Sequence, residues 1–291
     1  MERYDRTAED LGNVVALEHV NVRVPDQRLA TIFYVSGLGL TRDPYLMTGI
    51  DNMWINVGRS QFHMPTGNPQ VLRGHVGLVL PDREALLHRL ARVRADLEGT
   101  RFGFAEHNHY VEATSPWGNR LRCYEPDPRF GRIELGMPYV EFDVPIGAAA
   151  GIARFHREVL ESPAETGEDE RGRHARCAVG HQQYFIYRET DRPLPAYDGH
   201  HAQIYLADFS GPYKKLLERG LVFEESDQWQ YRFKDIVDLE SGKLLYTVEH
   251  EVRSMTHPLF NRPLVNRNPA QTNRRFAPGH ETAAWALAYE D

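Results

Sequence analysis

Four stretches of this chain share one grammar, and that repetition constrains its fold more than any other feature. LEHVNVRVPD (17–26), GHVGLVLPD (74–82), MPYVEFDVP (137–145) and HHAQIYLAD (200–208) alternate side chains with period two, as strands do. In the first, Val20, Val22 and Val24 fall on one face, and His19, Asn21 and Arg23 on the other. A helical pattern follows each stretch. Asp26 can cap the first helix, Leu29, Ile32 and Phe33 share a face, and Gly37 can stop it. Asp82 caps the second, whose stripe is Leu86, Leu87 and Leu90. Ile152, Phe155 and Val159 make the third stripe, and Tyr213, Leu216 and Leu217 the fourth, ended by Gly220. Later strand-like runs recur as well. INVGRSQFHM (55–64) aligns without a gap with CAVGHQQYFI (177–186), and GNRLRCYE (118–125) with GKLLYTVE (242–249).

The pattern therefore predicts an α+β chain of four βαβββ modules. Modules one and two occupy residues 14–127 and modules three and four residues 137–252, with a linker at 128–136. An N-terminal extension covers 1–13 and an irregular tail 253–291. A length of 291 residues suits two domains. The net charge of -7 comes without a basic stripe, which argues against a nucleic-acid partner. No apolar run approaches the ~20 residues needed to cross a bilayer, and the polar start MERYDRTAED lacks a signal-peptide pattern. Cys123 and Cys177 stand alone in different halves, so a reducing, cytoplasmic location is expected. No phosphate-cradling glycine loop and no Gly-x-Ser-x-Gly elbow appears, and no organic cofactor is expected.

Three stretches carry a resemblance to a known family. They are His19-Val20-Asn21-Val22 before Pro25-Asp26, His75-Val76-Gly77-Leu78 before Pro81-Asp82, and Pro116-Trp117-Gly118-Asn119-Arg120-Leu121 before Tyr124-Glu125-Pro126-Asp127. Over residues 14–252 the chain resembles the vicinal oxygen chelate superfamily of glyoxalases, bleomycin-resistance proteins and extradiol dioxygenases. The resemblance implies two tandem vicinal oxygen chelate domains, each a pair of modules, with curved, cup-forming mixed β-sheets. It does not fix a reaction, because function lives in the site rather than the fold. The two-domain layout also resembles that of the extradiol ring-cleaving enzymes.

The resemblance further implies metal ligands on the first and last strands of the two modules of one domain. In the first domain those places hold His19, His63, His75 and Arg122; the last departs from the family's usual glutamate. Three imidazoles with open positions suit one divalent ion, Fe(II) or Zn(II), Ni(II) or Mn(II). A bulge would instead turn Glu125 inward and give a two-histidine, one-carboxylate set with His19 and His75. In the second domain the same places hold Tyr139, Phe185, His201 and Tyr246, and a register slip would offer Glu141, His201 and Glu249.

Arg122 is expected either to clamp an anionic substrate group or to pair with Glu112 or Glu106. Asn21 and Gln61 share the faces of His19 and His63, near a substrate. Glu125 and His109 are candidate acid–base groups, although His109, on a predicted strand, also reads as solvent-facing. The expected function is a metal-dependent enzyme acting on a small molecule with vicinal oxygens, an extradiol-type ring-cleaving dioxygenase or a related isomerase or lyase. The alternative is a metal-free protein that sequesters an aromatic compound or antibiotic. A homodimer is expected from the general frequency of two-fold assemblies.

Overall fold

The computed structural model describes residues 4–46 and 51–266. The first residues of the predicted extension and residues 267–291 of the predicted tail lie outside that range. Module one contains β1 (Val14–Asn21), α1 (Gln27–Ala30), β2 (Thr41–Arg42), β3 (Asn52–Val57) and β4 (Ser60–Pro65). Module two contains β5 (Gly74–Val79), α2 (Arg83–Arg92), β6 (Gly103–Glu106), β7 (Val111–Thr114) and β8 (Arg120–Tyr124). Module three contains β9 (Gly136–Pro145), α3 (Ala149–Glu158), β10 (Ala164–Asp169), β11 (Gly172–Gly180) and β12 (Gln183–Thr190). Module four contains β13 (His201–Leu206), α4 (Ser210–Leu217), β14 (Val222–Asp227), β15 (Gln230–Val237) and β16 (Leu244–Ser254). Each of the four predicted opening strands is present, and each is followed by a helix.

The strands form two mixed eight-stranded sheets. One runs β14-β15-β16-β13-β1-β4-β3-β2, the other β10-β11-β12-β9-β5-β8-β7-β6. Parallel pairing occurs between β1 and β4 and between β5 and β8, and antiparallel pairing along the rest of each described ladder. Two compact units divide the chain. One comprises Glu18–Phe142, Pro195–Ala202 and Asn261–Asp291, the other Met1–Leu17, Asp143–Leu194 and Gln203–Phe260.

Local sequence explains the local structure. The Asp26 carboxylate accepts from the Leu29 amide at 2.9 Å and that of Asp82 from the Ala85 amide at 2.8 Å, so both predicted caps are made. Past Ala30 the first helix widens into a π-helical segment, Thr31–Gly37. The wider turn shifts the buried stripe from the expected Leu29, Ile32 and Phe33 to Ala30, Phe33, Tyr34 and Gly37. In α4 the buried residues are Pro212 and Leu216, and Leu217 is exposed rather than part of the stripe. Val20, Val22 and Val24 are buried on β1 and just past it, as the alternation predicts. Cys123 and Cys177 are both free and buried. Among the described residues no helix is long and apolar enough to cross a membrane.

Candidate metal centre

The first compact unit brings three histidines together. His19 on β1, His63 on β4 and His201 at the start of β13 offer ligand atoms that all lie within 4.8 Å of one another. Two of them are adjacent because β1 and β4 pair in parallel, with His19 opposite Gln61 and Asn21 opposite His63. Alternation then puts His19, Asn21, Gln61 and His63 on one face of the strand pair.

Aromatic packing and a carboxylate fix the rings. The indole of Trp54, opposite His63 on β3, stacks on the His63 ring at 3.8 Å between centroids and 14° between planes. It meets the His19 ring edge-on at 4.9 Å. The ring of His19 lies 5.5 Å from that of His63 and 5.9 Å from that of His201. The Glu18 carboxylate sits 3.2 Å from His19 Nδ1. With Nδ1–H donating to that carboxylate, Nε2 carries the ring's lone pair, which is how ligating histidines are commonly oriented.

His201 is placed by the turn before it. The Asp198 carboxylate accepts from the Val71 amide at 2.7 Å and approaches His200 Nδ1 at 2.6 Å. Gln70 donates to the Asp198 carbonyl at 2.8 Å, and the Tyr197 hydroxyl to the His200 carbonyl at 2.7 Å. Residues 197–200 are thereby pinned to residues 70–71, and β13 starts in one register. Burial holds the His200 imidazole below its ordinary pKa even though Asp198 opposes that effect.

A polar shell flanks the three imidazoles. Gln61 donates to Asp43 at 3.0 Å and to Asn56 at 2.6 Å. From residues 261–266, Arg262 donates to Asp43 at 2.6 Å and to Gln61 at 3.4 Å. Asn266 exchanges two hydrogen bonds with the backbone of Gly58, and Asn56 donates to the Val265 carbonyl. Burial raises the Asp43 carboxyl, but Arg262 and the Leu46 and Tyr45 amides outweigh it and leave the pKa below the usual carboxylate range. Asn21 Oδ1 is buried with no hydrogen-bond partner among the described residues. An orphaned buried acceptor of this kind costs about 1–3 kcal/mol, and an incoming donor would relieve it.

The other sequence-predicted residues lie elsewhere. His75 is on β5 in the second sheet, its Nδ1 3.7 Å from Glu141 and its Nε2 3.2 Å from the Tyr139 hydroxyl. It therefore does not join His19 and His63; the strand bordering β1 on the side away from β4 is β13, which supplies His201 instead. Arg122, on β8, lies over the Tyr110 ring and reaches Glu112 with Nε at 3.4 Å. Glu125 follows the last residue of β8 and is exposed. The β5–β8 and β7–β8 registers run without a bulge that would turn it inward. His109 is exposed in the turn between β6 and β7, not on a strand. The slipped trio is dispersed, with Glu141 beside His75, His201 with His19 and His63, and Glu249 bonded to Arg232. Sequence reasoning missed Glu18, Trp54 and Arg262 as neighbours of the site. Trp54 is brought to His63 by the β3–β4 pairing, and nothing local ties residue 262 to residue 43.

No protein-family profile and no curated protein matches the sequence. Solved structures do. Glyoxalase I from Zea mays is 10% identical with a TM-score of 0.54, covering 82% of this chain and 92% of that one. A candidate dioxygenase from Bacillus subtilis is 15% identical with a TM-score of 0.53, covering 83% of this chain and 86% of that one. The chain has the vicinal oxygen chelate fold, one sheet drawn from modules one and four and the other from modules two and three.

Proposed function

We propose that this chain is a metal-dependent enzyme acting on a small molecule with vicinal oxygens, and that His19, His63 and His201 hold the metal. The observation that carries the reading is the convergence of three imidazoles, from strands β1, β4 and β13, within 4.8 Å. An all-imidazole donor set suits Zn(II), Fe(II) or Ni(II). The orphaned Asn21 oxygen beside it fits a site built to receive a group not supplied by the protein itself. Bound there, a divalent ion would supply Lewis-acid polarisation of two substrate oxygens. Glu18 would keep His19 in the tautomer that presents Nε2. Trp54 would hold the imidazole planes and exclude water from one side, and Asn21 Oδ1 would accept a hydrogen bond from a substrate hydroxyl. The reaction is then oxygen-dependent ring cleavage with Fe(II), or an isomerisation or elimination with Zn(II) or Ni(II).

The test is elemental analysis of untagged protein purified without oxygen. About one equivalent of metal is expected in the wild-type chain. It should be lost in each of His19→Ala, His63→Ala and His201→Ala and retained in His75→Ala. Metal retained in His201→Ala but lost in His75→Ala would overturn the ligand set. A wild-type chain that takes up none of these metals would overturn the enzyme reading in favour of a metal-free binding protein.

A further inference from the structure

A second group of chemistry-bearing residues occupies β5, β8 and β9 of the same compact unit. Across the antiparallel β5–β9 pair His75 is opposite Glu141 and Gly77 is opposite Tyr139, and Arg122 is level with Gly77 on the parallel β5–β8 pair. Gly77 is what lets them meet. A Cβ at that position would lie 2.2 Å from the Tyr139 ring, so the phenol rests directly on the strand. The Tyr139 hydroxyl is 3.2 Å from His75 Nε2 and 2.9 Å from the Tyr124 hydroxyl. Glu141 flanks the other ring nitrogen of His75 at 3.7 Å. A consistent proton arrangement runs along this chain. His75 Nδ1–H faces Glu141, Tyr139 O–H donates to His75 Nε2, and Tyr124 O–H donates to Tyr139. Burial, reinforced by Tyr124 and Glu141, holds the Tyr139 phenol well above its ordinary pKa, so it remains protonated.

Arg122 stands at the accessible edge of this group. It is half-buried, and its guanidinium lies 5.0 Å over the Tyr110 ring. Its only side-chain hydrogen bond among the described residues uses Nε, to Glu112 at the long distance of 3.4 Å. The terminal nitrogens form the planar fork that matches a carboxylate, and they are not committed to a protein acceptor. Tyr110, Tyr124 and Tyr139 supply an aromatic wall, with Tyr110 and Tyr124 rings 5.4 Å apart. Charges nearby are balanced. Glu112 and Glu141 oppose an incoming anion, while Arg122 and Arg120, on the same face of β8, attract it.

We propose that Arg122 and the tyrosines around it form a second binding site, distinct from the three-histidine centre, for a small aromatic carboxylate. The carboxylate takes the outer edge of the guanidinium and the ring packs against Tyr110 and Tyr124. The Glu141–His75–Tyr139–Tyr124 chain fixes the position of that wall.

Titration calorimetry with benzoate tests this on the full chain and on a His19→Ala/His63→Ala chain. Saturable binding is expected in both, weakened about tenfold or more by Arg122→Gln and less by Arg122→Lys, which keeps the charge but not the fork. Tyr139→Phe, which cuts the chain behind Tyr124, is expected to weaken it several-fold. Should Arg122→Gln not fold, phenylglyoxal modification of wild-type Arg122 gives the same answer, because benzoate should slow it. No saturable binding, binding indifferent to Arg122→Gln, or no protection from phenylglyoxal overturns the proposal. Loss of binding in the His19→Ala/His63→Ala chain also overturns it, placing the anion at the histidine centre. Because metal loss is read at His19, His63 and His201 and benzoate binding at Arg122 and Tyr139, either proposal can fail without the other.

Discussion

Asp43 has no exposed side-chain surface, yet it is held ionised by the Arg262 guanidinium and by two backbone amides. Truncating Arg262 would leave a buried carboxylate without its cation, and Gln61, bonded to both, would lose its orientation. Arg262→Ala is expected to cost on the order of 3 kcal/mol in urea-induced unfolding, and Arg262→Lys less. Because the folded-state pKa of Asp43 is depressed, its contribution is present above the unfolded value of about 3.9 and disappears as pH falls through the folded value. Gly77 makes the opposite demand, for absence of volume. Gly77→Ala puts a methyl into the Tyr139 ring and is expected to cost about 1–3 kcal/mol of stability. It should also displace Tyr139 from His75, which the tyrosine ring signals in an NMR spectrum would report.

Strand β1 shows how far a pattern of alternating residues can be read. Period two told which side chains share a face, so His19 with Asn21, and His63 with Gln61, were legible, as were the caps Asp26 and Asp82. The same alternation carries no information about which strand lies alongside. The patterns of β5 and β13 are equally compatible with a place next to β1, and the difference between His75 and His201 as its companion is a tertiary outcome. The widened turn at Thr31–Gly37 was likewise invisible, because Leu29, Ile32 and Phe33 fit an ordinary helix as well as Ala30, Phe33 and Tyr34 fit the observed one. What sets β13 in register is the Asp198 peg to Val71. Asp198→Ala is therefore expected to leave the fold intact and weaken metal retention by about 10–100-fold, read by competition with a chelator.

At the scale of the whole molecule, the second compact unit carries a pH liability of its own. His156 Nε2 lies 3.1 Å from the Tyr187 hydroxyl, which lies 3.4 Å from His250 Nε2, and the His250 ring stacks on Phe233 at 4.4 Å. Burial pushes His250 down to about 4 and His156 well below its ordinary value. Between pH 6.5 and 4 the unfolded chain takes up protons that the folded chain refuses, so stability falls as the pH is lowered through that window. One such imidazole costs about 2 kcal/mol between pH 7 and 5, and thermal melts at those two values should differ accordingly. His250→Gln, which keeps a polar group but cannot titrate, should remove its share of the dependence and leave that of His156. The three-histidine centre has a consequence of another kind, in time. His201 leaves the ribosome about 180 residues after His19, on the order of 10–40 s later at ordinary rates of synthesis, and Arg262 later still. For that interval the nascent chain exposes two imidazoles of an incomplete set, so the proposed metal site would be complete only once most of the protein has been made.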